Sequence, residues 1–221
     1  ADALKQRGAQ THFVSRNLPE YLREMLNAKG HEFAPLNSIS SKATVDDLPH
    51  ACWLGCSQQV DASDTAQALS GREWEWLVVD HYALGALWET ALRGIVKRIF
   101  VIDDIADRNH DCDLLLDQNF YRDMDIRYKG KVPAHCQQLL GPRYALLRDE
   151  FRQQREQVKP RIGPIKRVLI FFGGVDSGNY TSCAIEALAI ISNSDLHVYV
   201  VIGAQHPHRK QIETACAEHA F

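Results

Sequence analysis

Short apolar runs alternate with amphipathic helical patterns along most of this chain, and this alternation limits its possible folds more than any other feature. "WEWLVVD" predicts a strand that ends at Asp80, "ALGALWETALRG" predicts the following helix, and "KRIFVIDD" predicts a second strand that ends in Asp103 and Asp104. Strands joined by helices form right-handed βαβ units, in which parallel strands lie side by side beneath helices. The sequence therefore predicts an α/β fold built on mostly parallel sheets.

A charged segment that runs into prolines and a glycine divides the chain. In "RDEFRQQREQVKPRIGPIKR" a helical pattern gives way to two prolines and a glycine, which interrupt regular structure before a new strand begins. We therefore predict a first domain over residues 1–158, a linker over residues 159–164 and a second domain over residues 165–221.

Both ends of the chain look interrupted. The chain opens without methionine on the helical pattern "ADALKQRG", which leads into a predicted strand from Thr11 to Ser15. It closes on a predicted strand from Leu196 to Ile202 and one further helix. A sheet of two strands is too small to stand alone. We therefore expect an internal segment of a longer protein, with a first domain that lacks its opening strand and a truncated second domain.

Composition and charge exclude several classes of function. The 221 residues carry a formal net charge of -3, which argues against a nucleic-acid or membrane-surface binder and favours a small-molecule ligand. No apolar run approaches the roughly 20 residues that cross a bilayer, and no signal peptide is visible. The six cysteines have no framework spacing, so we expect free thiols, no metal site and a cytoplasmic location, with Cys52 and Cys56 as small core residues.

Carboxylates directly follow the predicted strands, at Asp80, Asp103 and Asp104. In open α/β sheets, ligands bind beyond the carboxyl ends of the strands, so these positions are candidate binding residues. Asp is also a common helix cap and turn former, and a purely structural role is the alternative for each of the three.

A second candidate site is the loop of "VLIFFGGVDSGNYT", between a buried strand and a helix. Gly173 and Gly174 let the backbone approach a ligand, and the amides of the following helix favour an anion such as phosphate. The loop lacks both the GxGxxG spacing of dinucleotide-binding folds and the GK[ST] ending of a P-loop. Asp176 and Asn179 either cap the helix or bind ligand hydroxyls, and a tight structural turn is the alternative for the whole loop.

Four sequence blocks, in this order, carry a resemblance to a known family. Together they resemble the PseG family, the hydrolases of UDP-2,4-diacetamido-2,4,6-trideoxy-β-L-altropyranose in pseudaminic acid biosynthesis, a precursor pathway for flagellin glycosylation. The blocks are "VVDHYALGALWE" (78–89), "VIDDIADRNHDCDLLLDQN" (101–119), "LLGPRYALLRDEF" (139–151) and "VLIFFGGVDSGNYT" (168–181).

The resemblance implies two Rossmann-like domains of the glycosyltransferase-B type, similar to the transferase MurG, with the nucleotide held mainly by the second domain. Water attacks the anomeric carbon, UDP leaves, and the configuration inverts without a metal or other cofactor. The family's general-base histidine lies in a glycine-rich loop ahead of the position of Ala1, and its later uridine motif follows the position of Phe221. Because both are absent from this sequence, we expect little turnover from these 221 residues alone.

Within the shared blocks, Tyr82 is the strongest candidate for contact with the sugar or the catalytic water, with a buried packing role as the alternative. Asp80 is expected to support it. His81 belongs to the D-H-Y block rather than to a glycine loop, so it is not expected to replace the family's histidine. By analogy with the related transferases, Arg143 reaches a phosphate, or else it forms an interdomain salt bridge.

Two alternative functions stay open. A glycosyltransferase on the same scaffold would use an acceptor hydroxyl in place of water, and a noncatalytic remnant would only bind a nucleotide sugar. The shared blocks favour the hydrolase, and we expect a monomer that binds a UDP-sugar and releases UDP, with no nucleic-acid or membrane partner. Trp74, Trp76 and Trp88 are predicted to pack in the core, and "HPHR" (206–209) to be a solvated polar run.

Overall fold

The computed structural model describes residues 1–37, 46, 48–191 and 195–219 of the chain. The chain forms two compact units, Ala1–Asp149 and Glu150–Phe221. Every strand pairing in the described residues is parallel, in a four-stranded sheet and two smaller two-stranded sheets. This confirms the predicted α/β class with Rossmann-like parallel sheets, while the predicted domain boundaries stay a prediction.

The first unit contains two sheets, one of two strands and one of four strands. In the larger sheet four strands lie side by side in chain order, and in the smaller one the first two strands of the chain pair. Short 3-10 helices lie at Ala51–Trp53 and Pro142–Tyr144. The other elements are α1 Asp2–Gln6, β1 His12–Ser15, α2 Glu20–Ala28, β2 Glu32–Pro35, α3 Gln58–Ala68, β3 Trp74–Val79, α4 Ala86–Leu92, β4 Val96–Ile102, β5 Leu114–Asp117, α5 Met124–Arg127 and β6 Gln137–Leu140.

The core of the first unit lies between the four-stranded sheet and its helices. Leu92 of α4 and the strand residues Ile99 and Leu115 are completely buried there. Burying one such side chain stabilises the fold by about 1.5–3 kcal/mol. These apolar strands fix the frame that carries the polar loops at their carboxyl ends.

Core packing is confirmed for Trp88, which is buried, and Trp74 packs against the same core while partly exposed. The prediction of core packing is wrong for Trp76, which is 42% exposed on β3, at the edge of the four-stranded sheet. The edge position leaves this side chain exposed, and the guanidinium carbon of Arg98 from the neighbouring strand lies 5.4 Å from its ring centroid.

The cysteines are all free thiols. Cys56 is buried as predicted, but a core position is wrong for Cys52, which is exposed. The reason is local, because the 3-10 helix that contains Cys52 turns Ala51 toward the interior and leaves the next side chain outside.

The second unit is a smaller βαβα arrangement. The helix α6 Asp149–Arg155 precedes β7 Arg167–Ile170, α7 Tyr180–Ile191, β8 His197–Val200 and α8 Arg209–Glu218. β7 and β8 pair in parallel, and Ile170, Ile185 and Ile212 form the buried centre of the unit. Among the described parts of both units, no helix is long and apolar enough to cross a membrane.

Candidate active site

Side chains from the ends of three neighbouring strands meet at Asp104. Tyr82 follows β3, and its hydroxyl donates a 2.7 Å hydrogen bond to Asp104 Oδ1. Asn119 follows β5, and its Nδ2 donates to Asp104 Oδ2 at 2.9 Å. Parallel strands bring their carboxyl ends to one edge of the sheet, which explains why residues 22 and 15 positions from Asp104 converge on it. We call Tyr82, Asp104 and Asn119 the strand-end cluster.

The backbone of Asp104 is held from a second side. The Tyr121 hydroxyl and Arg127 Nη2 both donate to the carbonyl oxygen of Asp104, at 2.9 and 2.7 Å. The Arg127 guanidinium also lies 3.5 Å from the Tyr121 ring centroid and pairs with the buried carboxylate of Asp117 at 3.1 Å. These contacts fix the main chain of Asp104 and therefore the direction of its carboxylate.

Charge in the strand-end cluster determines the protonation of Tyr82. The hydrogen bond to the Asp104 carboxylate, with some burial, raises the pKa of Tyr82 to about 12. The phenol therefore stays protonated at neutral pH and donates a hydrogen bond to Asp104. Its oxygen lone pairs stay available as hydrogen-bond acceptors. Asp80 is exposed overall, but partial desolvation of its carboxyl group raises its pKa, and the nearby Asp104 carboxylate acts in the same direction. This end of the sheet thus carries two adjacent carboxylates.

His81 presents a donor rather than a proton acceptor. Its Nδ1 accepts a 3.1 Å hydrogen bond from the backbone amide of Ala83. Burial lowers the pKa of His81, and the cation of Arg108 acts in the same direction. The ring is therefore neutral at neutral pH with its proton on Nε2, and the expectation that His81 does not replace the family's histidine stays a prediction.

Asp103, the first carboxylate after β4, has a different environment from Asp104. It is 1% exposed, its Oδ2 accepts hydrogen bonds from the Tyr128 hydroxyl and the Ala106 amide, both at 2.9 Å, and its Oδ1 lies 2.9 Å from Arg108 Nη1. Oδ1 makes this ion pair but no hydrogen bond, so burial and the two bonds to Oδ2 are what favour the structural alternative for Asp103. Contact of Asp103 with a ligand stays a prediction.

A buried ionic network continues from Asp103 to the helix α4. Glu89 and His110 have fully buried side chains, and Glu89 Oε1 lies 2.7 Å from His110 Nδ1. His110 Nε2 in turn lies 3.9 Å from Asp103 Oδ2. Both residues stand in the blocks that carried the resemblance, yet sequence reasoning missed them. The available signal was a charged residue at position 89 inside an otherwise apolar helical pattern.

Arg108 connects this network to the loop that carries Tyr82. Its Nε donates to the Leu84 carbonyl at 2.6 Å, and its Nη2 donates to the His81 carbonyl at 3.2 Å. The same guanidinium pairs with Asp103, as described above. Arg108 therefore holds residues 81–84 against the loop that follows β4.

Two aromatic residues that sequence analysis missed lie beside Tyr82. The His50 ring centroid is 5.5 Å from that of Tyr82 and 4.7 Å from that of Trp53. The Trp53 and Tyr82 centroids are 5.9 Å apart, and Trp53 is 57% exposed. We call Trp53, His50 and Tyr82 the aromatic patch. No local pattern marks it, because positions 50 and 82 meet only in the folded unit.

Arg143 lies in the 3-10 helix after β6 and is exposed. Its guanidinium carbon is 5.2 Å from the ring centroid of the adjacent Tyr144. The preceding Gly141 has φ +93 and its amide donates to the Asp117 carbonyl at 2.7 Å, so the turn that presents Arg143 is tied to β5. Phosphate binding by Arg143 stays a prediction.

In the second unit, the loop after β7 is a helix cap. Asp176 Oδ1 accepts from the Tyr180 amide at 3.0 Å, and Oδ2 accepts from the amide and hydroxyl of Thr181 at 2.9 and 2.7 Å. The Asn179 side chain bonds to Ser182 and Gln211, at 2.9 and 3.3 Å. These contacts favour the capping alternative for Asp176 and Asn179, and their contact with ligand hydroxyls stays a prediction.

The two glycines of this loop differ in their backbone conformation and surroundings. Gly173 has φ +84, a conformation that L residues rarely adopt. The loop after β8 comes so close to Gly174 that a Cβ on Gly203 would lie 2.2 Å from the Gly174 carbonyl oxygen. The positive φ thus accounts for Gly173 as a turn residue and the close approach accounts for Gly203, whereas a Cβ on Gly174 would meet no atom within 4 Å. Phosphate binding at Gly173 and Gly174 stays a prediction.

The prediction that "HPHR" is a solvated polar run is wrong for His206. This histidine is buried, its Nδ1 accepts from the His208 amide at 3.2 Å, and its Nε2 lies 3.8 Å from Asp176 Oδ2. The tight turn between β8 and α8 folds the imidazole inward beside the Asp176 cap, which a polar sequence pattern does not reveal.

We expect Asp176→Ala to lower the midpoint of thermal unfolding at about pH 7, and Asp176→Asn to lower it less, because an amide oxygen still caps a helix. Desolvation opposes the charge of Asp176, but the hydrogen bonds from Thr181 and Tyr180 outweigh it and lower its pKa. The stabilisation is therefore present above the ordinary Asp pKa and is lost as the pH falls through the lower folded-state pKa. Thermal melts followed by circular dichroism at about pH 7 and about pH 2 would measure the midpoints. A difference between the parent and Asp176→Ala that is as large in acid as at about pH 7 would contradict the prediction.

Comparison with known proteins gives a partial match. No protein-family model matches the chain. The UDP-2,4-diacetamido-2,4,6-trideoxy-beta-L-altropyranose hydrolase of Campylobacter jejuni is 28% identical over 138 residues, which are 61% of this chain and 47% of the relative. The chain thus spans about half the length of the curated relative it matches. This similarity confirms the resemblance inferred from the four sequence blocks, and the chain is PseG-like in that sense.

Proposed function

We propose that this chain hydrolyses a UDP-linked diacetamido-trideoxy sugar, releasing UDP and the free sugar with inversion at the anomeric carbon, as a step of pseudaminic acid biosynthesis. The observation that carries the proposal is the Tyr82–Asp104 hydrogen bond at the carboxyl ends of β3 and β4. The similarity to a hydrolase of such a UDP-sugar supports the choice of substrate. The proposal includes a glycosyltransferase-B arrangement with the nucleotide on the second unit, and a cytoplasmic monomer.

In this reaction a water oxygen forms a bond to the anomeric carbon while the bond from that carbon to the UDP oxygen breaks, and UDP leaves with the electron pair. Tyr82 donates a hydrogen bond to Asp104 and keeps its proton, so its oxygen lone pairs are free to accept a hydrogen bond from the attacking water or a sugar hydroxyl. Asp80 adds a second carboxylate that supports this acceptor electrostatically. Tyr82 therefore orients a nucleophile or a hydroxyl rather than ionising.

The attacking water also needs a proton acceptor. His81 does not supply it, because its Nδ1 is occupied by the Ala83 amide and its Nε2 carries the proton of the neutral ring. The resemblance assigns this task to a histidine in a glycine-rich loop, and these 221 residues do not contain that loop. The expectation that the 221 residues alone show little turnover follows from this and stays a prediction.

The test is proton NMR of the anomeric signal of the UDP-sugar over time, with the 221-residue chain and with any longer natural form of the protein. Release of UDP with the opposite anomeric configuration in the first-formed sugar supports the hydrolase. A UDP-sugar that stays intact until an acceptor alcohol is added contradicts it and supports the transferase. A substrate that binds but never reacts in any form of the chain contradicts it in favour of the noncatalytic binder.

A further inference from the structure

The aromatic patch exposes a large apolar ring next to a polar cluster. Trp53 is 57% exposed although its neighbours Ala51 and Leu54 are buried and anchor the short helix that carries it. Its ring also contacts those of His50 and Tyr82, so the indole is held in place rather than free in solvent. A rigid exposed aromatic ring beside converging polar groups is typical of a ligand-binding surface.

Tyr82 belongs to both the aromatic patch and the strand-end cluster. Its ring is 5.9 Å from that of Trp53, while its hydroxyl reaches Asp104 at 2.7 Å. One small ligand that touches Tyr82 is therefore within reach of an apolar ring on one side and of a carboxylate on the other. This combination fits a molecule with an apolar face and several hydrogen-bond donors.

The charges around the patch distinguish between the parts of a UDP-sugar. Asp80 and Asp104 place two carboxylates at this end of the sheet, which repel a diphosphate and accept hydrogen bonds from sugar O–H and N–H groups. The nearby cations are already engaged, because Arg108 pairs with Asp103 and Arg127 pairs with Asp117. The geometry and the charge both favour the sugar over the diphosphate.

We infer that Trp53 forms a stacking subsite, together with His50 and Tyr82, for the apolar face of an acetamido-deoxy sugar. This inference rests on the proposed function for the identity of the natural ligand. The C–H groups on one face of a pyranose ring, a C6 methyl group and acetamido methyl groups are the parts that gain from contact with an indole. Trp53 is thus a specificity residue that favours an acetylated deoxy sugar over a fully hydroxylated one.

The binding test uses saturation-transfer NMR on the full chain, with N-acetylfucosamine as the acetamido-deoxy probe and galactose as the hydroxylated one. The inference predicts the strongest saturation at the methyl groups of N-acetylfucosamine, and about tenfold weaker binding in Trp53→Leu. Trp53→Phe should keep most of the affinity. Trp76→Leu removes another exposed tryptophan and serves as the matched control, with unchanged binding.

Two binding results would overturn the subsite. One is equal binding of N-acetylfucosamine by the parent chain and Trp53→Leu, with circular dichroism showing both folded. The other is a Trp53-dependent fluorescence change caused by UDP and not by the sugar, which would assign the patch to the nucleotide. Because the probes are free sugars, the subsite is tested even if no UDP-sugar is hydrolysed. Conversely, hydrolysis with the same KM in Trp53→Leu and parent would leave the proposed function standing and remove this inference.

Discussion

Replacing Arg108 with alanine should lower the free energy of unfolding of the first unit by about 3–5 kcal/mol. The Arg108 side chain is 3% exposed and lies 2.9 Å from the completely buried carboxylate of Asp103. Its guanidinium also donates to the backbone carbonyls of Leu84 and His81. Removing it leaves a buried carboxylate without its cation and the Leu84 carbonyl without its donor, while the His81 carbonyl keeps only the Leu84 amide. Both losses are costly in a protein interior.

Urea unfolding followed by circular dichroism measures this loss, with Lys97→Ala as the matched control. Lys97 also pairs with a carboxylate, that of Glu75, but both side chains are more than half exposed. Exposed pairs contribute little, so the control should unfold at the parent's urea concentration. If Arg108→Ala does not fold, Arg108→Lys keeps the charge without the planar fork and should show an intermediate loss. A loss no larger than that of Lys97→Ala would contradict the role assigned to the network.

The α/β class and the position of the main strands followed from the sequence because hydrophobic periodicity is a local property. The strands that end just before Asp80 and Asp103 formed where the pattern placed them. The sequence placed Tyr82 and Asp104 each after a predicted strand, but it did not predict their hydrogen bond. That contact depends on the pairing of the two parallel strands, which brings their carboxyl ends to one edge of the sheet.

The supporting residues of the site could not be predicted, because their contacts join distant parts of the chain. Glu89 and His110 are 21 positions apart and meet in a buried pair, and His50 meets the ring of Tyr82 across 32 positions of sequence. A polar or aromatic residue in a local pattern carries no sign of what will cover it. The same reason explains the errors at Trp76 and His206, where tertiary packing and not sequence character decided the exposure.

The contrast between neighbouring residues shows how the fold assigns their roles. Asp103 points into the buried ionic network and Asp104 toward the strand-end cluster, although both follow the same strand. The Asp103 amide still bonds to the Leu116 carbonyl of the neighbouring strand, whereas Asp104 begins the bend that follows β4, and the two carboxylates reach different partners. The pair "DD" in the sequence thus combines a structural and a candidate functional carboxylate.

Tyr82→Phe should lower kcat/KM for the UDP-sugar about 100-fold, mainly through kcat, in whichever form of the chain is active in the NMR assay. The substitution keeps the ring in the aromatic patch and removes only the hydroxyl that donates to Asp104. Since the pKa of Tyr82 is about 12, the parent's activity should show no loss from ionisation of this phenol until the pH approaches that value.

Tyr21→Phe is the matched control, because it removes a phenol hydroxyl from an exposed position on α2 and should leave kcat/KM unchanged. The loss of one hydrogen bond in Tyr82→Phe costs only about 1 kcal/mol of stability, so the variant should remain folded and its lost activity can be assigned to the site. A loss confined to KM would mean that the hydroxyl binds substrate and transition state equally. Parent-like values of both kcat and KM would show that Tyr82 acts by packing alone, because the retained phenyl ring would then be all that the reaction needs.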